Sequence, residues 1–172
     1  MPDRSVFATM SKEQLIDLLE DAAKNWLAHD GVWFQAVERR CGLEAAIACD
    51  AEAWEHFTAV EAGRIMRRHA IAAGGGLEAL DQSLRLRLYA RLNEQTITRP
   101  DAKTLRFEMN ACRVQDARRR RGLPHFPCKP VGLVEYAGFA RTIDGRIQTR
   151  CLACPPDPHP EAFWCAWEFS LP

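Results

Sequence analysis

The sequence predicts an α+β fold in which an N-terminal layer of helices packs on a C-terminal antiparallel sheet. Apolar residues recur at helical spacing through most of the first half of the chain, up to about Leu92. Beyond Asn93, apolar and polar residues alternate in several short segments, as they do in half-buried strands. These segments occur as neighbouring pairs, with helices between the pairs, so hairpins are favoured over a parallel sheet.

Length and composition indicate an ordinary globular protein. The 172 residues suit a single domain over residues 1–172, with a helical part at 11–92 and an α+β part at 93–172. Because 23 basic residues balance 23 acidic ones, nucleic acid is not an expected partner. The N-terminus lacks the apolar core of a signal peptide, and no segment approaches the ~18 apolar residues of a membrane span. We therefore expect a cytoplasmic protein.

The first helices are placed by capping and breaking signals. Ser11 followed by Gln14 is a capping-box pattern, which predicts a helix over residues 11–28. The sequence His-Asp-Gly at 29–31 is expected to break this helix, and a short second helix should cover residues 32–40. Cys41 and Gly42 should end that segment, with Cys41 and the later Cys49 assigned to packing.

Helical spacing continues from Leu43 to the three glycines at 74–76. We expect one short helix and one long helix here, the long one over residues 51–71 with Asp50 as its cap. The glycine run should stop the helical segment, and a further amphipathic helix should cover residues 77–92.

The second half of the chain should alternate hairpins with helices. The expected elements are a hairpin at 96–109, a helix at 111–121, an irregular proline-rich loop at 123–130, a helix at 131–143, and paired strands at 146–152 and 163–171.

The last fifth of the chain carries the strongest chemical signal. Cys151 and Cys154 form a Cys-x-x-Cys turn, a proline-rich loop containing His159 follows, and Cys165 opens the final strand. Zinc takes about four ligands, and a Cys-x-x-Cys turn can direct two sulfurs to one point. Cys165 returns on the partner strand, and Cys128 or His159 would complete the set. Redox or nucleophilic thiols and buried packing cysteines remain alternatives.

Two other residues are candidate catalytic groups. Cys112, beside Arg113 on the predicted helix at 111–121, would be a thiol with a lowered pKa, with a buried packing cysteine as the alternative. Glu135 is close to the cysteines in sequence and could serve a water molecule or a substrate amine. His159 is either a ligand or proton carrier supported by Asp157, or an exposed loop residue.

Three segments carry a resemblance to known families: the stretch around Cys112, the Gly-Leu-Pro at 122–124 followed by Phe-Pro-Cys128, and the tail from Cys151 to Phe169. Over nearly the whole length, the chain resembles an uncharacterised family of small cytosolic proteins of bacteria and archaea. Its C-terminal half is similar to the 2-amino-thiazoline-carboxylate hydrolase family, through the Gly-Leu-Pro, the cysteine after it and the closing cysteine on an aromatic strand. That resemblance implies a thiol-dependent hydrolase.

The same end of the chain resembles the 4-vinyl-reductase type of sensor domain. The zinc site of that domain uses an upstream cysteine, an acid before a second cysteine, and a third cysteine that opens the last strand. The resemblance implies Cys128, Cys154 and Cys165 as ligands, with Cys151 in place of the acid. Four thiolates make a closed structural site, which leaves no position for a reactive water.

The leading functional expectation is a cytosolic protein with a structural zinc on Cys128, Cys151, Cys154 and Cys165 and a pocket for a small-molecule ligand. An iron–sulfur cluster on the same cysteines is an alternative cofactor. A second copy of the chain, forming a homodimer, is the protein partner that the sequence leaves open.

The enzymatic alternative is a thiol-dependent hydrolase of the 2-amino-thiazoline-carboxylate type. Cys112 or Cys128 would be its nucleophile, and His159 or Glu135 would carry the proton.

Overall fold

The computed structural model describes residues 3–172. Met1 and Pro2, which begin the expected domain and the N-terminal segment, lie outside the described residues. The described part of the chain forms six α-helices, one 3₁₀ helix and four strands: α1 (Ser5–Ala8), α2 (Lys12–Cys41), α3 (Leu43–His69), α4 (Gly76–Leu86), the 3₁₀ helix (Leu88–Arg91), β1 (Glu94–Asp101), β2 (Thr104–Ala111), α5 (Arg113–Arg120), α6 (Lys129–Ile143), β3 (Gln148–Ala153) and β4 (Cys165–Ser170). The α+β class is confirmed.

The strands form one antiparallel sheet in the order β1-β2-β4-β3. Each expected hairpin is present, since β1 pairs with β2 and β3 with β4, and the two hairpins join where β2 pairs with β4. In this register Phe107 and Cys151 lie on either side of Trp167, and Met109 lies opposite Cys165. The final cysteine strand is therefore central in the sheet.

Helix α2 spans both of the first two helices that the sequence predicts. The capping box at Ser11 and Gln14 is present, but α2 continues through Gly31 to Cys41, so the expected break is wrong. A glycine inside a helix costs about 1 kcal/mol, which packing between two long helices can outweigh. Gly42, with φ of 88°, makes the turn into α3.

Helix α3 is also uninterrupted, so the expected division at Asp50 is wrong. Asp50 lies inside the helix, one turn before Trp54. The helix ends at His69, because Ala70 is left-handed and its N–H closes on the Met66 carbonyl. Cys41 and Cys49 are exposed, contrary to their assignment to packing.

The helix expected over residues 77–92 ends early, at Leu86. Arg87 is extended, and a short 3₁₀ helix follows it. The cause is the burial of Arg87, which is 2% exposed and pairs with the carboxylates of Glu61 and Glu135.

The main core lies between the inner face of the sheet and helices α3, α4 and α6. Trp167, Phe107 and Phe169 of the sheet pack there with Phe139 of α6 and Leu80 of α4, all at most 1% exposed. A smaller aromatic cluster around Trp54 fills the space between the α2–α3 pair and the start of α6. No helix within residues 3–172 is long and apolar enough to cross a membrane.

Candidate functional site

A cavity of about 360 Å³ separates the α2–α3 pair from α5, the start of α6 and the near ends of β2 and β4. Most of its wall is apolar and aromatic, and its larger side chains are Phe34, Trp54, Tyr89, Val131, Tyr136 and Trp167. Pockets of this size with few polar groups are typical binding sites for small organic molecules. The thiols and the carboxylates form two separate sets, and five cationic side chains also line the cavity: Lys24, Arg113, Arg118, Arg120 and Arg121.

The thiol set comes from four different parts of the chain. Cys112 precedes α5, Cys128 precedes α6, Cys154 follows β3, and Cys165 opens β4, and all four line the cavity. The backbone N–H of Lys129 donates to the carbonyl of Pro155 at 2.9 Å, which fastens the start of α6 to the segment after β3. This contact brings Cys128 beside Cys154, as the sequence predicts for those two residues.

The environment of Cys128 lowers the pKa of its thiol. Its Sγ accepts hydrogen bonds from Cys154 Sγ at 3.7 Å and from Gln115 Nε2 at 3.4 Å. These bonds, with that from Cys154 the larger, lower the pKa of Cys128, while burial opposes them. Its position at the N-cap of the 15-residue helix α6 also favours negative charge. The donor Cys154 shows the opposite effect, a raised pKa.

Gln115 is the positioning residue that the sequence did not reveal. It is 1% exposed, and its amide exchanges hydrogen bonds with the N–H and carbonyl of Phe126 at 2.9 and 2.8 Å. These bonds hold the proline-rich loop against α5 and leave an N–H for Cys128. A glutamine that faces inward from an arginine-rich helix was the available signal.

Cys112 does not have the properties expected of an activated nucleophile. It lines the cavity as the residue before α5. Burial raises the pKa of this thiol to about 12, and the nearby Cys165 and Cys128 add to the shift. A thiol in such an environment is almost wholly protonated near neutral pH, so it is a poor nucleophile. The structure favours the packing alternative for Cys112.

Three of the four cysteines expected to bind zinc line the cavity, and the fourth does not. Cys128, Cys154 and Cys165 share the cavity wall, and Cys154 interacts with the other two. Cys151 lies opposite Trp167 on β3, packs against the core and does not line the cavity. Among residues 3–172, no group of three or more His, Cys, Asp or Glu side chains is arranged to hold a metal ion. The described residues therefore contain no preformed metal site.

His159 lies apart from the thiols. Its ring packs against Trp164, with 5.2 Å between ring centroids, and its Nδ1 is 3.0 Å from the carbonyl of Pro160. Asp157, expected to support it, instead accepts from Lys129 Nζ at 2.6 Å. His159 is not among the residues that line the cavity, so the structure does not bring it to the site.

Glu135 is on the cavity wall, on the same face of α6 as Cys128 and Gly132. Its Oε1 is 2.7 Å from Nη1 of Arg87, whose Nη2 is 2.9 Å from Oε2 of Glu61. Burial raises the pKa of Glu135, and the charge of Arg87 limits the increase. The structure thus brings one expected catalytic residue, Glu135, to the same cavity as the thiols.

Asp30 of α2 and Asp50 of α3 complete the carboxylate set. Burial, together with the charges of Asp30 and Glu135, raises the pKa of Asp50 to about 7. Burial also raises the pKa of Asp30. From the sequence, Asp30 was expected in a helix break and Asp50 at a helix cap. The missed signal was an acid inside an apolar stripe, since Asp30 lies one turn from both Trp26 and Phe34.

Comparisons with known proteins identify the family of this chain, and the function of that family is unknown. The model of DUF6125, a family of unknown function, matches residues 8–171. The chain belongs to this family. A search of curated proteins and a search of solved structures each found no match. The expected membership of an uncharacterised family is confirmed, whereas the resemblances to the thiazoline hydrolases and the vinyl-reductase domains and the bacterial or archaeal origin have no support.

The cavity of this DUF6125 protein combines a thiol whose pKa is lowered, Cys128, with a carboxyl group whose pKa is raised, Glu135. Glu135 follows Cys128 by seven residues, or about two helical turns, and helical side chains lean toward the N-terminus of their helix. The negative charge of Glu135 raises the pKa of Cys128, so the two groups are electrostatically coupled. A thiol whose pKa is lowered and a carboxyl group whose pKa is raised therefore line the same cavity.

Proposed function

We propose that the protein binds a small molecule with a mainly apolar body in the cavity, and that the Cys128 thiolate attacks this molecule in a thiol-dependent hydrolysis. The observation that carries the proposal is the position of Cys128 Sγ, on the cavity wall, at the start of α6, with donors from Cys154 and Gln115 at 3.7 and 3.4 Å. Two donors and a helix N-terminus favour the reactive form of a thiol.

The reaction class that suits these groups is acyl transfer to water. The Cys128 thiolate adds to the carbonyl carbon of an ester or amide, and the bond to the leaving group breaks as Glu135 gives that group a proton. A water molecule then gives its proton to the Glu135 carboxylate and attacks the thioester. The acid product leaves, and the thiolate is restored. Nη1 of Arg87, 2.7 Å from Oε1, fixes the position of Glu135, and the charge of Arg87 favours the carboxylate form that takes the proton from the water molecule.

Competitive alkylation tests the proposal. The whole chain is treated with limiting iodoacetamide at about pH 7, and each cysteine is quantified by peptide mass spectrometry. Cys128 should react at least about tenfold faster than Cys112, despite the partial burial of both. The exposed Cys41 and Cys49 are internal references. If Cys128 reacts more slowly than these references, it is not the nucleophile.

A zinc ion on the same thiols is the second candidate. The 3.7 Å between the sulfurs of Cys128 and Cys154 matches the edge of a tetrahedron with Zn–S bonds of about 2.3 Å. Cys165, which interacts with Cys154, would be a third ligand, and rotation of Cys151 would supply a fourth. This candidate retains the structural zinc site expected from the sequence, and an iron–sulfur cluster would use the same cysteines.

Metal analysis separates the two candidates. In the zinc case, protein purified without chelator contains about one zinc per chain, and Cys128 becomes alkylated only after a chelator is added. Cys151→Ser should then lower the metal content, while Cys112→Ser should leave it unchanged. In the nucleophile case the protein is metal-free and Cys128 reacts at once. Visible absorbance of anaerobically purified protein would reveal a cluster.

A further inference from the structure

The carboxylate end of the cavity is short of positive charge. Asp30 and Asp50 project from α2 and α3, and no salt bridge within residues 3–172 includes either of them. Arg87 is the buried cation nearby, and its guanidinium is already shared by Glu61 and Glu135. Both side chains are half-buried, and a half-buried carboxylate without a counter-charge is stabilised by a cation, which here would come from outside the chain.

The other charged groups around the cavity do not supply that cation. Lys24 of α2 lines the cavity, but its Nζ is 3.5 Å from Glu20 and 3.4 Å from Asp21. On α5, Arg118 is 3.7 Å from Glu38, and Arg121 donates to Gln35 at 3.1 Å. Arg113 and Arg120 also line the cavity from α5. None of these cations is among the groups that shift the pKa of Asp50, which are Asp30, Glu135 and Trp54.

A second, independent observation points to a ligand. Trp167 lines the same cavity and is 0% exposed, yet its indole N–H has no hydrogen-bond partner in the described part of the chain. An unsatisfied buried donor costs about 1–3 kcal/mol, and a ligand acceptor would remove this cost. Trp54 and Tyr89 stack with 5.7 Å between ring centroids, and the guanidinium of Arg87 already lies 5.7 Å from the centre of each ring, so this aromatic surface accommodates positive charge.

We propose that the ligand of the cavity carries a protonated amine, which Asp30 and Asp50 bind, and a hydrogen-bond acceptor, which Trp167 binds. This inference rests on the proposed function only in taking the cavity as the ligand site, and it does not depend on the chemistry of Cys128. It defines the substrate class as amines with an apolar, aromatic-compatible body, and it excludes acids that lack a positive charge.

Three matched probes test the inference: phenethylamine, the neutral 2-phenylethanol and the anionic 3-phenylpropionate. Binding is measured by chemical-shift titration of the whole chain at about pH 7.5, where the amine is protonated. Phenethylamine should bind at least about tenfold more tightly than the alcohol, and the anion should bind more weakly still. Asp50→Asn and Asp30→Asn should each reduce the preference for the amine several-fold.

Asp17→Asn is the matched control, because Asp17 is an exposed acid on the same helix as Asp30. It should leave all three affinities unchanged. Far-UV circular dichroism verifies that each variant is folded. The inference is overturned if the three probes bind equally, if none binds at millimolar concentration, or if both cavity variants retain the amine preference. Slow alkylation of Cys128 together with a preserved amine preference would remove the proposed hydrolysis and leave this inference standing.

Discussion

At the level of single residues, Arg87 forms ion pairs with two buried carboxylates. Its guanidinium is 2.9 Å from Glu61 of α3 and 2.7 Å from Glu135 of α6, and it lies 4.6 Å from the ring centre of Phe139. The residue is 2% exposed, so its charge interacts through a medium of low polarity. Removing the cation would leave two buried carboxylates facing each other without compensation.

Arg87→Met should therefore lower the free energy of unfolding by about 3–5 kcal/mol near neutral pH. The loss should shrink at acidic pH. Without Arg87 the folded-state pKa of Glu135 rises further above its unfolded value, so the folded variant loses stability as the pH increases past the unfolded pKa. Urea unfolding at several pH values measures both effects.

The control for Arg87 is its neighbour Arg85, which pairs with Asp81 at 2.7 Å while 58% of its side chain is exposed. Arg85→Met should change the unfolding free energy by less than about 0.5 kcal/mol, because surface ion pairs contribute little. Equal losses in the two variants would show that the buried network has no special role.

At the level of elements, α6 depends on a glycine to approach the sheet. A Cβ at Gly132 would lie 2.7 Å from Cζ2 of Trp167, which is fully buried at the centre of the sheet. Gly132 also lines the cavity, so the helix, the indole and the ligand space meet at this point. A methyl group there would displace either the helix or the indole.

Gly132→Ala should destabilise the protein by about 1–2 kcal/mol, because the strain of overpacking exceeds the gain in helix propensity. Gly31→Ala provides the comparison, since Gly31 lies inside α2 and nothing is within 4 Å of its added Cβ. This second variant should be stabilised by about 0.5–1 kcal/mol. Thermal unfolding of both variants measures the difference, and a similar gain in each would contradict the packing argument.

The predicted helices and strands, compared with the observed ones, show how much of the fold could be predicted from the sequence. The strands and α6 were predicted well because strict alternation and proline boundaries are local signals. The break at Gly31 and the cap at Asp50 were wrong because packing between α2 and α3 outweighs local preference. The approach of Cys154 to Cys128 follows from the chain order of the hairpin and the loop. Gln115 and the carboxylates could not be assigned, because their roles depend on contacts between distant elements.

At the level of the whole molecule, the helical part and the α+β part share one core. Ala62 and Ile65 of α3 belong to the same buried cluster as Phe139 and Ala140 of α6 and the inner face of the sheet. A Cβ at Gly138 of α6 would lie 2.6 Å from Oγ1 of Thr58 of α3, so these two helices are in close contact. Separating the two parts would therefore divide this core.

Fragments 3–92 and 93–172 should each be unfolded when expressed alone, because separating them exposes the surfaces of α3, α6 and the sheet that form the shared core. The whole chain should unfold in one cooperative step. Far-UV circular dichroism and tryptophan fluorescence should give coincident urea curves, since tryptophans such as Trp54 and Trp167 report on both parts. Mixing the fragments should restore the helical signal. A cooperative transition in the isolated 3–92 fragment would instead show that the helical part is an independent domain, and the cavity would then lie between two domains.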